Sequence, residues 1–515
     1  MRRSRIDQGV CTLLAVALIS PSLAGWCQKS PTSSSLATAR TEIARGELQS
    51  AEKTIWTVLS ADPNQPDALT LLGIIRGRQK RYSEAEALLR RVIQLDPKSI
   101  VARRNLASAL IAQNKPDEAL QIYKQIVEFS PHDVSAKVEL ARLYVAQGQF
   151  SDAVATLGPL SPDRLPKEAL PVKAAALLGD HRPAEAGELI EQAKDSSAVA
   201  SELAEVFLEG NAPDLALKAV NVAFSASKRP TTRMYYLKGR ALQATGDSSG
   251  AAKAFAGVLS RDPKSAEALV SMAAMEASRN NHAQSFKLLI RAYAIEPNSI
   301  AVLRPLVVEA VKAGQLKKAV GAAHALADKS PNNFDDQYLA AAAMLQGEDF
   351  AASAAILRKC AANRPSDSKA WLGLGMAELA QQHYPEARSA LERSLKIDST
   401  SADTEYQLGV VANRQGVQGE AVQHFERAVQ LQPQHAMALA GLGEQYLQAG
   451  QIEKARTVLE KSVALDDSNA KAQYDLALVL SKVGETQEAK QHMERWQTLN
   501  KEEAIRKNPV RVSEP

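Results

Sequence analysis

IVARRNLASALIAQNKPDEALQIYKQIVEFSPHD, residues 100–133, is one complete period of this chain. Ile100–Gln113 places Val101, Leu106, Leu110 and Ile111 at helical spacing. Asn114-Lys115-Pro116-Asp117 breaks the run, and Pro116 suits the first turn of a second helix, where its missing N–H costs nothing. Asp117–Phe129 then carries Leu120, Ile122, Tyr123, Ile126 and Val127, and Ser130-Pro131 stops it. Each helix is expected to be about 13 residues, roughly 20 Å long.

Outward from this unit the closing proline returns every 34 residues, at Pro63, Pro97 and Pro131, then at Pro263, Pro297, Pro331 and Pro365, then at Pro433, with Ser399 in the missing slot. A self-similar period of this length means stacked helical hairpins, not a globular enzyme core. Other features keep the same phase. The first helix has a small residue at its middle, as at Gly73, Ala107, Gly239, Gly375, Gly409 and Gly443. The second has an alanine near its start, as at Ala85, Ala119 and Ala387, and a bulky residue four places later, as at Leu89, Tyr123 and Leu391. Helices cross closely only where long side chains are absent, and a large neighbour fills the adjacent gap. Gly46, Gly148, Gly246, Gly314, Gly416, Gly450 and Gly484 fall at the turn inside the hairpin, where a left-handed residue ends the first helix.

With Trp371, Leu374-Gly375, Ala387 and Leu391 in phase over Ser368–Ser401, the chain resembles the tetratricopeptide-repeat proteins over residues 32–503. The resemblance implies an all-α fold, a right-handed superhelical solenoid of stacked antiparallel helix pairs. Fourteen units are expected, starting near 32, 66, 100, 134, 167, 197, 232, 266, 300, 334, 368, 402, 436 and 470. Residues 32–166 and 232–503 read as regular repeats. Residues 167–231 are irregular: Pro131 to Pro263 spans 132 residues, four short of four periods, and prolines crowd the stretch. Drift in a degenerate repeat is the preferred reading, and a hinge between two superhelical halves is the alternative. Val307 stands where a small residue is expected, which predicts looser packing there. Residues 504–515 read as a charged tail.

The N-terminus has a different character. Arg2, Arg3 and Arg5 precede the apolar run Val10–Ile19, and Ser22-Leu23-Ala24 offers small residues to a signal peptidase. Residues 1–24 therefore read as a signal peptide cleaved after Ala24, followed by a flexible lead-in over 25–31. An uncleaved anchor or a buried first helix are the alternatives, but the run is short for a bilayer span. Export implies a periplasmic or secreted protein. Trp26 fits poorly before a lipid-modified cysteine, so lipidation of Cys27 is not favoured. Contact with a membrane is expected only if the signal is retained or Cys27 is lipidated. Cys11, Cys27 and Cys360 form no disulfide framework.

Composition narrows the function further. Lys plus Arg is 62 against 58 Asp plus Glu, a net charge of +4, which is too small and dispersed for nucleic-acid binding. Gly246-Asp247-Ser248-Ser249-Gly250 matches a nucleophile-elbow string but follows a helix rather than a strand. Gly373-Leu374-Gly375 and Gly441-Leu442-Gly443 lie inside helices and are no nucleotide fingerprint. The eight histidines are scattered and read as surface or turn residues, without metal-ligand spacing. No cofactor, metal or catalytic site is expected, and the chain does not read as an enzyme.

Surface remains. In the family the first helices line a concave groove that binds protein or peptide partners. Phase places Arg104, Asn105 and Arg142 near one another, and Arg233, Tyr236 and Arg240 on one first helix. Farther along come Arg304, Tyr338, Met376, Tyr406, Asn413 and Arg414. Arginine and tyrosine are enriched at binding hot spots, although exposed arginines also simply solvate a helix. The paired-Lys/Asn clamp of co-chaperone relatives and the asparagine ladder of glycosyltransferase relatives are not reproduced. The expectation is an exported protein-binding scaffold, on family analogy in envelope assembly or polysaccharide export. The alternative is a non-catalytic recruiting subunit of a glycan synthase or glycosyltransferase complex.

Overall fold

The computed structural model describes residues 31–160 and 164–507. The expected signal, lead-in and Cys27 lie almost wholly outside the described residues, as does the end of the tail. Among the described residues are 28 α-helices and one short 3-10 turn, without a strand. The helices form fourteen antiparallel pairs. The chain divides between Asp262 and Pro263 into two compact units, each holding seven of the pairs.

The connectors explain why the helices stop and restart where they do. Asp96 ends one second helix, and its carboxylate accepts the Lys98 N–H at 3.1 Å. Ser99 then caps the next helix, Ile100–Ala112, by accepting the Ala102 N–H at 3.4 Å. Asp398 and Asp466 make the same turn with Thr400 and Ser468, each at 3.0 Å. Pro97 sits inside such a turn and cannot extend the helix before it. Inside each hairpin one residue is left-handed. Seven of these are the glycines named above, and Lys80, Asn114, His181, Asn211, Asn280, Glu348 and Gln382 hold the other seven turns. At Asn114 the turn closes with Asn114 N–H to Ile111 C=O and Lys115 N–H to Leu110 C=O, both 2.9 Å, which satisfies two helix-end carbonyls.

The close approach within a pair is size-matched. A β-carbon built on Gly375 would lie 2.5 Å from Leu391 Cγ and 3.2 Å from the Ala387 carbonyl oxygen. Leu391 therefore occupies the space a side chain at 375 would need, rather than a gap beside it. Gly443 and Leu459 repeat the arrangement, also at 2.5 Å. Phe425 is larger and uses two glycines: its ring would come within 2.6 Å of a β-carbon on Gly409 and 2.8 Å of one on Gly441 in the next pair. Val307 corrects the expectation of loose packing. It is fully buried, and Ala323 stands where other pairs carry the bulky residue, so large and small have exchanged places.

In the first unit one apolar core runs without a gap from Leu36 to Ala241, through residues 167–231. Around the start of that stretch helices are shortened: Phe150–Leu157, just before it, has eight residues, and Leu170–Gly179 and Pro183–Gln192 have ten each. In the second unit the last helix, Thr486–Lys507, continues past the expected start of the tail at 504. Lys501-Glu502-Glu503-Ala504 are good helix formers, and no proline intervenes before Pro509.

Gly375→Leu is expected to destabilise the second unit by about 1–3 kcal/mol or more, because the added side chain would overlap Leu391 and press on the Ala387 carbonyl. Thermal melts with limited proteolysis check this, and cleavage should localise near residues 368–401. An unchanged melt would contradict the packing described.

Candidate functional site

Most first helices bury one side and leave the other open. In Ile300–Lys312, Val302, Leu303, Leu306, Val307 and Ala310 are buried, whereas Ala301, Arg304, Val308, Val311 and Lys312 are half-buried or exposed. Spacings of three and four residues put the second set on one stripe. Throughout the second unit consecutive first helices pack directly on one another, while consecutive second helices scarcely meet. The stack is therefore tighter on the first-helix side, and the stripe lies inside the curve of that unit.

In the first unit the expected residues sit on this face but are already engaged. Arg104 donates to the Asp133 carboxylate and, at 3.2 Å, to Ser135 Oγ. Asp133 caps the next first helix, so Arg104 ties two repeats together. Asn105 turns back to its own helix, donating to the Val101 carbonyl at 2.8 Å. Arg142 pairs with Glu139 at 3.4 Å. Arg104, Glu139 and Arg142 all act on the buried Tyr123, whose phenol is pushed up to about 12 chiefly by burial. Arg104 and Arg142 are thus acid-neutralised charges rather than bare cations. Arg233 pairs with Glu205 and lies over the Tyr236 ring, 5.5 Å from its centroid. Tyr236 rests on Phe255 at 5.9 Å between centroids. Arg240, half-buried one turn farther along, makes no hydrogen bond or ion pair among the described residues.

In the second unit Arg304 is a structural staple. Its Nε and one terminal nitrogen donate to the two Asp336 oxygens at 2.6 and 2.8 Å, and Ser330 donates to the same carboxylate at 2.7 Å. Asp336 is 1% exposed, and Arg304 holds its carboxyl below the usual range. Tyr338 stacks on Phe334, and Tyr406 packs against Phe425 and His435. Asn413 accepts from Gln445 at 3.0 Å. Met376 is half-buried, and Arg414 is exposed without an ion pair among the described residues.

Several other expectations resolve locally. Asp247 caps the helix Ser248–Arg261, which places the Gly-x-Ser-x-Gly string on a helix start. His435 sits at a turn as expected but is buried: its Nδ1 accepts the Ala438 N–H and its Nε2 faces Asp403 at 3.1 Å. Trp371 donates to the Pro365 carbonyl at 3.0 Å beneath Arg393, and Trp496 packs on Tyr474. Among the described residues no group of His, Cys, Asp and Glu has the geometry to hold a metal, and no helix is long and apolar enough to cross a membrane. The acids that neutralise the arginines were missed from the sequence. Asp133, Glu205 and Asp336 lie 28 to 32 residues from their arginines, just under one period, and that separation is the signal.

Two family models, both described as tetratricopeptide repeat, match the chain, one over residues 78–129, 110–175 and 419–468 and the other over 36–100, 236–300 and 338–402. Together they cover more than half of the chain, which belongs to the tetratricopeptide-repeat family. Anaphase-promoting complex subunit 3 of Schizosaccharomyces pombe is 21% identical over 140 residues, 27% of this chain and 21% of that relative. The chain thus spans about a fifth of that relative's length. Among solved structures, the APC/C hetero-tetramer Cut9-Hcn1 is 14% identical, with 88% of this chain and 96% of that one covered and a TM-score of 0.37. MamA is 22% identical, covering 31% and 94%, with a TM-score of 0.28. YrrB, a TPR protein with an unusual peptide-binding site, is 19% identical, covering 36% and 97%, with a TM-score of 0.31.

Arg304→Ala is expected to cost about 2–3 kcal/mol of stability, since it strands a buried carboxylate. Because the Asp336 pKa is lowered in the folded state, the staple stabilises above the ordinary carboxylate pKa and fades as pH falls below about 4. Paired denaturation curves at pH 7 and pH 3 should show the gap between variant and parent narrowing. An equal gap at both pH values would contradict the staple.

Proposed function

We propose that the protein is an exported, non-catalytic scaffold whose first-helix face holds a protein or peptide partner, in envelope assembly or polysaccharide export. One observation carries the binding part of this reading. The same stripe of the first helices stays open in repeat after repeat, on the side where consecutive first helices of the second unit pack directly on one another. Repeat stability is a nearest-neighbour property, so residues on that face can vary with the partner at little cost to folding. Among the residues proposed for binding, the helix Thr232–Ala244 is the best candidate anchor. Tyr236 is a preorganised aromatic supported by Phe255, and Arg240 retains its donors. Arg104, Asn105 and Arg142 contribute as a neutral, hydrogen-bonding rim. Export rests on the charge and hydropathy pattern of residues 1–24 alone.

Capture of partners from envelope extract should fall when Tyr236→Ala/Arg240→Ala replaces the parent, by about 2 kcal/mol or more in affinity. Lys461→Ala, exposed on a second helix, is the control and should capture normally. Equal capture by both variants, with melts unchanged, would remove this helix from the binding face. The exported protein should begin at Gly25 on N-terminal sequencing, and a mature form retaining Arg2 would contradict the signal reading.

A further inference from the structure

We propose that the open face of the second unit receives an apolar segment of a partner protein that carries carboxylates along one side. The inference rests on the scaffold reading and names the chemistry of one part of the face. Val308, Ala342, Met376 and Val410 hold the same rung of four successive first helices, all half-buried, and Leu345 and Leu379 stand one turn farther on. These side chains offer a partner no hydrogen bond, so what they favour is removal of apolar surface from water. On the same rung in the first unit stand Arg142, which meets Glu139, and Arg240.

Charge decides which apolar segment fits. The last residue on the open face of each first helix from Ile300 onward is Lys312, Gln346, Ala380, Arg414, Gln448 or Lys482. Three are cations and none is an acid. Arg414 and Lys482 are exposed and make no ion pair among the described residues, and Lys312 has only Glu309 at 3.9 Å. This rim is complementary to carboxylates and repels a basic segment, which sets the orientation of whatever lies on the apolar rungs. Bringing a carboxylate to Arg414 leaves no native ion pair to break, unlike at Arg104 or Arg304.

The test uses the full chain and a random peptide library. The parent should enrich peptides that combine Leu, Ile, Phe or Met with Asp or Glu. Met376→Glu/Val410→Glu should weaken those peptides about tenfold or more, since it places charge where apolar groups must be buried. Arg414→Glu/Lys482→Glu alters only exposed residues and should keep its melt while turning the preference toward Lys and Arg. Enrichment of basic or wholly polar peptides, no enrichment, or unchanged binding by both variants would overturn the inference. Loss of envelope capture in Tyr236→Ala/Arg240→Ala alongside such a result would leave the scaffold reading standing. Selection of acidic apolar peptides while that variant captures normally would uphold this inference and move the anchor away from residues 232–244.

Discussion

Leu391 fills the space that any side chain at Gly375 would need, and this one-for-one exchange of volume, repeated sixteen residues apart in pair after pair, holds the molecule together. It brings the two helices of a pair close enough to exclude water between them, so burial becomes local and repeating. Where the second-helix residue grows to Phe425, glycines appear on both sides of it. Where it shrinks to Ala323, Val307 grows in compensation. Volume is conserved at the contact even when the sequence pattern inverts, and for that reason Val307 packs fully.

That contact also decides what is left for function. A first helix spends one side on its partner helix and on the neighbouring pairs, which leaves a single stripe. Stapling between repeats then consumes most of the charge near that stripe. Arg104 with Asp133, Arg233 with Glu205 and Arg304 with Asp336 each join one repeat to the next. The residues still free to meet a partner are fewer and plainer: half-buried Val, Met, Leu and Tyr, together with Arg240, Arg414 and Lys482.

The sequence made the backbone legible and the electrostatics much less so. Helix starts, stops and turns depend on local rules, so Ile100–Ala112, Pro116–Phe129 and the left-handed glycines follow from residues a few positions apart. Even the seven non-glycine turns keep the phase, although Lys80, Glu348 and Gln382 carry no local mark of a left-handed residue. Ion pairs depend on where long side chains reach across a repeat boundary. Arg304 reads as a free groove arginine until Asp336, 32 residues away, is seen beneath it. Tyr236 beneath Arg233 belongs between the two cases, because both lie on one helix at i, i+3 and phase alone places them on the open face.

The central claim is that partners are held by the open stripe of the first helices. Site-specific photo-crosslinking tests it most directly, with a photoreactive residue placed in turn at Met376 and Tyr236 on first helices and at Arg427 and Lys461 on second helices of the full chain. The account predicts that partner adducts form from the first-helix positions and not from the second-helix positions. Adducts forming mainly from Arg427 or Lys461 would contradict it.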